Sequence, residues 1–531
     1  MKYLYFFLCL IIATTAFGGD NIPKIDSLIA HSIENKMFSG SVLVTKNKKV
    51  IYQKTYGLAN AENSVVIDPK TSFNLSSLTR TLTTSCVLKL VEEGKLNLND
   101  NMKKFIPEYP FEGVTIRNFL RQNSGRDENE AEKCNNSIVS ECSDKNSTFA
   151  NNDQLLDNKY DLSDYKDERR EKYLNENYKL LTTLVEKVSG QSFKNYVHTN
   201  IFSPCQMGNS FINNEDDFAN KAVPYKYSYL SEKFSPFQNG YNNNYDAGIY
   251  SNCEDLLNFT ENYFSGNIIS KELVEEATAS DNLTKASKYI FGGFALILCG
   301  LCLIRRTGNK LLLTLSAVSM MTGTLMTWTG FYNKRHELQD YAMGWEKMIY
   351  NKEEVTYQTG NVGGAKNILW HEQSGLNIII LSNSTTCPNY ELAKNISNIV
   401  HEQPHHLPDL SLASIYCKNL KNSENIEETI RKTTEEWKSQ GNEFLKYEEE
   451  ENEKIQELGF ELLSLNKVPE SLAAFNLNKL LKDLSWTPAN TYSDVLNNSG
   501  KTINSLRILS GDPEDKIENE RSTKLNHAKD N

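Results

Sequence analysis

A basic surplus, a cysteine framework and metal-ligand spacing are all missing from these 531 residues. Lysine and arginine total 57 against 68 acidic residues, a net charge of −11, and no basic stripe interrupts the chain. Binding a phosphate backbone needs clustered cations, so nucleic acid is excluded as the main partner. The ten cysteines are scattered. Cys9 sits in an N-terminal apolar run without the small residues that precede a lipid-attachment cysteine, and the nine that follow are an odd number with no small-scaffold pattern. Cys134 and Cys142 bracket a polar loop, where a disulfide and two free thiols are both open readings. His401, His405 and His406 share a proline-containing linker and lack ligand spacing, so no structural metal is expected.

The length leaves room for roughly two to four domains. MKYLYFFLCLIIATTAFGGD puts one lysine before an apolar run and ends in small residues around Ala16-Phe17-Gly18, so residues 1–19 read as a secretory signal. Lys24 to Lys36 has helical apolar spacing, and SGSVLVTKNKKVIYQKTYGLAN then gives two β-rich runs about a Lys-Asn-Lys-Lys turn. TTSCVLKLVEEGKLNLND predicts a helix closed at Gly94, and VTIRNFLRQNSG a second one stopped at Gly125. Arg126 to Arg170 is charged and Asn-rich, a long surface loop. ILWHEQSGLNIIILSN, Ile368 to Asn383, predicts a hairpin whose second strand is apolar throughout and therefore central. Strand pairs at both ends with helices between them predict an α+β domain over residues 20–282 and 334–405, its antiparallel sheet flanked by helices and accompanied by a helical subdomain.

Two runs inside that domain carry no charge: Tyr289 to Ile304 and Leu311 to Tyr332. The second is long enough to cross a bilayer core; the first reaches roughly 24 Å and needs its flanks. Their short link, RRTGNK, is basic. Residues 283–333 are therefore expected to form a membrane hairpin with Arg305 and Arg306 on the cytoplasmic side, an orientation set by the export signal because Lys285, Lys288, Lys334 and Arg335 blunt the charge bias. Neither run holds a charged residue of the kind that marks an ion path, which argues against a channel. After Pro408 the sequence turns helical. Glu424 to Gln456 is highly charged, and the spacing of Leu458, Gly459, Ala473, Ala474, Phe475 and Pro488 resembles one tetratricopeptide-type unit within a helical tail at 406–510. One such unit cannot bury its own face and has to stack on something. Residues 511–531 are polar and expected to be disordered.

The chemistry centres on SFNLSSLTRTLTT, Ser72 to Thr84. Acyl transfer on a serine needs a hydroxyl at a helix start, a base for its proton, and backbone donors for the oxyanion. Ser77-Leu78-Thr79-Arg80 offers the first, although a serine there is more often a cap. Order decides between the two. The same chain carries, in sequence, VEEGKLNLND, IPEYP, VTIRNFLRQNSG, KYLNENYKLLTTLVEKVSGQSF, NIFSPCQMGN, DAGIYSNCEDLLNF, YAMGW and YQTGNVGG. From about residue 24 to 400, apart from the apolar hairpin, it resembles the serine β-lactamase and penicillin-binding-protein-like family, nearest the class C and esterase-like branch. That resemblance implies an acyl-enzyme hydrolase without a cofactor. It makes Ser77 the nucleophile and Tyr173 a proton carrier, has Asn175 orient substrate, and lines the substrate-bearing strand with Gln358, Thr359 and Gly360.

Two positions depart from the family pattern. Arg80 stands where the family has a lysine, and a guanidinium stays charged, so it cannot take the serine's proton. Gln358 replaces a cationic or titratable residue on the strand. Both changes remove proton-transfer capacity and keep the frame. The expected function is an exported, membrane-attached hydrolase acting on an ester, an amide or a peptidoglycan-type peptide, impaired by Arg80 and Gln358. The other reading is a non-catalytic binder that holds a small molecule or peptide in the pocket and docks a protein partner through its tail.

Overall fold

The computed structural model describes residues 21–107, 109, 112–122, 175–212, 220–237, 248–279, 295–298, 321–322, 324, 340–440 and 448–482. The signal at 1–19, the loop at 126–170 with Cys134 and Cys142, Tyr173, most of the apolar hairpin and the 511–531 tail lie outside them.

The order begins with helix α1 (Asn21–Glu34), strands β1 (Gly40–Lys46), β2 (Lys49–Tyr56) and the short β3 (Phe73–Asn74), and helices α2 (Thr79–Glu92) and α3 (Asn175–Ser189). A hairpin β4 (Tyr225–Ser228) and β5 (Lys233–Pro236), strand β6 (Ile249–Ser251) and helix α4 (Cys253–Ser265) follow. Strands β7 (Asp340–Tyr341), β8 (Glu346–Tyr350), β9 (Glu353–Val362), β10 (Ala365–Glu372) and β11 (Leu376–Ser382) lead into helix α5 (Asn389–Val400). Seven strands form one antiparallel sheet in the order β7-β8-β9-β10-β11-β1-β2. The predicted α+β class holds, and β1 pairs with β11 from Gly40↔Ser382 to Lys46↔Leu376, joining distant parts of the chain.

The predicted turn between β1 and β2 centres on Asn47 and Lys48, both at positive φ (52° and 63°), the paired left-handed geometry that suits a twisted two-residue hairpin. Every residue of β11 is buried, so helices cover both of its faces. Ile379 and Leu381 join the core made with α2, α3 and α4, while α5 packs on β10 and β11 and against α1. Helix α2 is buried on nearly every side although rich in Thr and Ser. Its hydroxyls bond back to helix carbonyls, Thr81 to Leu78, Thr83 to Thr79 and Ser85 to Thr81, so burial leaves those groups satisfied.

Two expectations change in detail. The helix expected to run to Gly125 spans only Ile116–Leu120, because Gln122 turns to a φ of 54° directly after it. The charged stretch expected as one helical run separates into two helices. Among the described residues no helix is long and apolar enough to cross a membrane.

The chain divides into two compact units. The second contains Tyr227–Ser235 and everything from Asp409 onward. It is built from α6 (Leu412–Lys421), α7 (Ile426–Ser439), α8 (Glu448–Ser464) and α9 (Val468–Lys482). Helix α6 packs with α7, α8 with α9, and the two pairs meet through α6–α8 and α7–α9. Gly459 and Phe475 touch where α8 meets α9, since a Cβ on Gly459 would lie 2.5 Å from the Phe475 ring.

Candidate active site

The turn carrying Ser77 is fixed before the helix begins. Phe73 and Asn74 pair with Ser251 and Tyr250, and the Leu75 amide donates to the Ile249 carbonyl. Asn74 Oδ1 accepts from the Ser76 amide at 2.8 Å, and Ser76 takes a φ of 52°. A left-handed serine is uncommon and stores strain, the kind of corner that presents the next side chain. Ser77 then lies in a single 3-10 turn, Ser76–Leu78, that feeds α2. It is 7% exposed. Amides in the first turn of a helix have no intrahelical acceptor, so the Ser77 N–H sits where an oxyanion donor is needed.

Strand β9 reaches this turn because residue 360 is glycine. A Cβ there would stand 2.2 Å from the Leu75 carbonyl oxygen and 3.3 Å from the Leu78 amide nitrogen. The face of β9 that carries Gly360 therefore looks at the Ser77 turn, and Gln358, two residues earlier, shares that face. Thr359 lies on the other face and is partly exposed. Gln358 is fully buried, and its Nε2 donates to the Thr359 carbonyl at 3.0 Å. Asparagines pin the assembly from behind. Asn367 Nδ2 donates to the Asn74 carbonyl at 2.7 Å, and Asn389 Nδ2 donates to Asn361 Oδ1 at 2.8 Å and to the Asn367 carbonyl at 2.5 Å. The structure thus brings Ser77, Gln358 and Gly360 together.

Arg80, one turn beyond Ser77, is wholly buried. Its guanidinium carbon lies 5.2 Å from the centre of the Tyr178 ring, a cation–π contact, and the Tyr178 hydroxyl donates to the Leu120 carbonyl at 3.1 Å. The partly buried Glu346 on β8 feels the same charge. Desolvation pushes its carboxyl above the usual range, while the Tyr357 hydroxyl, donating at 2.8 Å, and the Arg80 charge oppose that rise. Desolvation also holds the Tyr341 hydroxyl well above the ordinary phenol range, against the pull of Arg80. A buried cation persists when paired and stacked, and Glu346 and Tyr178 supply those two conditions. Tyr173 lies outside the described residues, and Asn175 is the first residue of α3. Sequence reasoning missed Tyr178, Glu346 and Asn367. The nearest signals were local: Glu346 directly follows YAMGW, and Tyr178 lies in KYLNENY.

A serine at a strained helix entrance, a glycine-bearing strand laid against it and a basic residue one turn on define a serine hydrolase of the penicillin-recognising kind. The Beta-lactamase family model matches residues 25–391, more than half of the chain, and the protein belongs to that family. Protein flp of Staphylococcus aureus (strain MRSA252) is 31% identical over 216 residues, 39% of this chain and 42% of that protein, so the chain spans about two fifths of that relative's length. The octameric penicillin-binding protein homologue from Pyrococcus abyssi superposes with a TM-score of 0.52 at 23% identity, over 76% of this chain and 82% of its own. The D-amino acid amidase from Ochrobactrum anthropi SV3, complexed with D-phenylalanine, gives 0.50 at 15% identity, over 72% and 99%. At such identities the two structures speak for the fold alone.

Proposed function

We propose that the protein forms an acyl-enzyme at Ser77 with an ester, an amide or a peptidoglycan-type peptide, and turns it over slowly because Arg80 and Gln358 cannot relay protons. The observation that supports this reading is the placement of Ser77 on a strained turn against the Gly360 strand, with a buried guanidinium one turn on. Tyr173 would carry the serine's proton and Asn175 would orient the acyl group, as the family resemblance implies. Names among the similar proteins, a penicillin-binding protein homologue and an amidase, favour amide-type acyl donors.

The binding-protein alternative draws on one observation of its own, the commitment of Arg80 to Glu346 and Tyr178, which takes a proton-transfer position out of use. Covalent labelling separates the two. Incubating the full chain with a penicillin and with a fluorophosphonate probe should give slow, stoichiometric modification of Ser77 that Ser77→Ala removes. No modification after long incubation would favour the binder.

The setting belongs to the same proposal. Residues 1–19 direct export, the charge-free runs at 289–304 and 311–332 anchor the protein with Arg305 and Arg306 facing the cytoplasm, and the helical tail, whose spacing resembles a tetratricopeptide-type unit, offers a partner surface. Extraction of the intact protein from membranes by carbonate alone would refute the anchor.

A further inference from the structure

Three buried polar atoms around the Ser77 turn have no hydrogen-bond partner among the described residues: Ser76 Oγ, Thr79 Oγ1 and Gln358 Oε1. The last is the most telling. Gln358 is 0% exposed, and its amide orientation is set by the Nε2 bond to the Thr359 carbonyl, which leaves the oxygen as the free end. It lies on the face of β9 that Gly360 turns toward Leu75 and Leu78, on either side of Ser77 in the chain. An acceptor left unsatisfied in a buried site lowers stability unless something donates to it, and buried polar groups of this kind are the ones that discriminate between ligands.

We propose that Gln358 is a specificity-determining residue: its Oε1 accepts from an N–H or O–H of the acyl donor beside the scissile carbonyl, so the site takes uncharged, donor-bearing amides and esters and turns away those with a carboxylate there. The proposal deepens the acyl-enzyme reading and rests on it. A carbonyl oxygen repels a carboxylate and offers it no proton. Arg80 does not reverse that preference, because its charge is already opposed by Glu346 and stacked on Tyr178.

A matched set of phenylacetyl esters tests this, with glycolamide, N,N-dimethylglycolamide or glycolate as the alcohol. They share one acyl group and differ only in whether the neighbouring group donates, cannot donate, or is an anion. Hydrolysis by the full chain should favour the glycolamide ester over both others by about tenfold or more, the ratio that one hydrogen bond in a buried site provides. Gln358→Met should level the glycolamide and dimethylglycolamide esters, and Gln358→Lys should move the preference to the glycolate ester. Equilibrium binding of the same three esters to Ser77→Ala, read by calorimetry, gives the order without any chemistry. Turnover that survives Ser77→Ala would sink the nucleophile assignment while the binding order still reads Gln358. Equal binding of the glycolamide and dimethylglycolamide esters, tighter binding of the glycolate ester, or no binding of any of the three would overturn the proposal.

Discussion

Arginine at position 80 keeps the charge of a lysine and gives up its chemistry. Residues i and i+3 share a helix face, so Arg80 is turned to the same side of α2 as Ser77, and its planar fork is buried against Tyr178 with Glu346 as the nearby anion. A lysine in that place could lose its proton under burial, whereas the guanidinium cannot. A missing general base costs about 100- to 10,000-fold in rate. Arg80→Lys should therefore raise the rate of Ser77 labelling, and Ser77→Ala should abolish labelling in either background. The gain should stay below that range, because the shorter ammonium leaves the Tyr178 stack and Gln358 is unchanged. Fast labelling of the wild type that Arg80→Lys leaves alone would show that arginine is no obstacle here. The Glu346 carboxyl adds a pH sign: its folded-state pKa is raised, so its contribution to stability is most favourable at acid pH and declines as pH climbs through the carboxyl range.

At the scale of elements, the site depends on how closely β9 approaches the turn before α2. Gly360→Ala would place a methyl group 2.2 Å from a backbone oxygen, an obstacle no side-chain rotation relieves. Overpacking of this kind costs about 1–3 kcal/mol, and a displacement of about 1 Å at a reacting group can cost about 100-fold in rate. The variant should unfold at lower denaturant and label Ser77 far more slowly. Wild-type labelling by a stably folded Gly360→Ala would mean that β9 does not frame the nucleophile. The elements behind this arrangement were readable in sequence where their pattern is local. The β1–β2 turn announced itself through Asn47, β11 through an unbroken apolar run, and α2 through its close at Gly94. Helix length after Thr115 was not readable, because the stop comes from the backbone at Gln122 and not from Gly125. Nor was the packing of Arg80, since Tyr178 and Glu346 meet it across long separations in sequence and contact of that kind leaves no periodic trace.

At the scale of the molecule, the second unit is discontinuous. Its core joins Tyr227 and Tyr229, from the β4–β5 hairpin, to Leu412, Tyr416, Ile430, Trp437, Ile455, Leu458 and Leu477 from the four helices. Lys421 pairs with Glu232, and Ser228 donates to Glu461, so polar contacts repeat the apolar association. The apolar face that a lone helical repeat leaves open is thus covered within the unit by a second helix pair and the tip of a hairpin whose strands begin and end in the first unit. A fragment starting at Asp409 lacks that tip. Losing a buried aromatic side chain costs about 3–5 kcal/mol, a large share of what a unit of this size has in hand. The isolated fragment 409–531 should therefore melt without a sharp transition or associate through the exposed face, and linking residues 227–235 to it should restore cooperative, monomeric folding. In the full chain, Tyr229→Ala should lower the stability of this unit by a similar amount. Limited proteolysis followed by calorimetry checks both, and a 409–531 fragment that is monomeric and cooperatively folded alone would show that the hairpin tip merely decorates a self-sufficient helical unit.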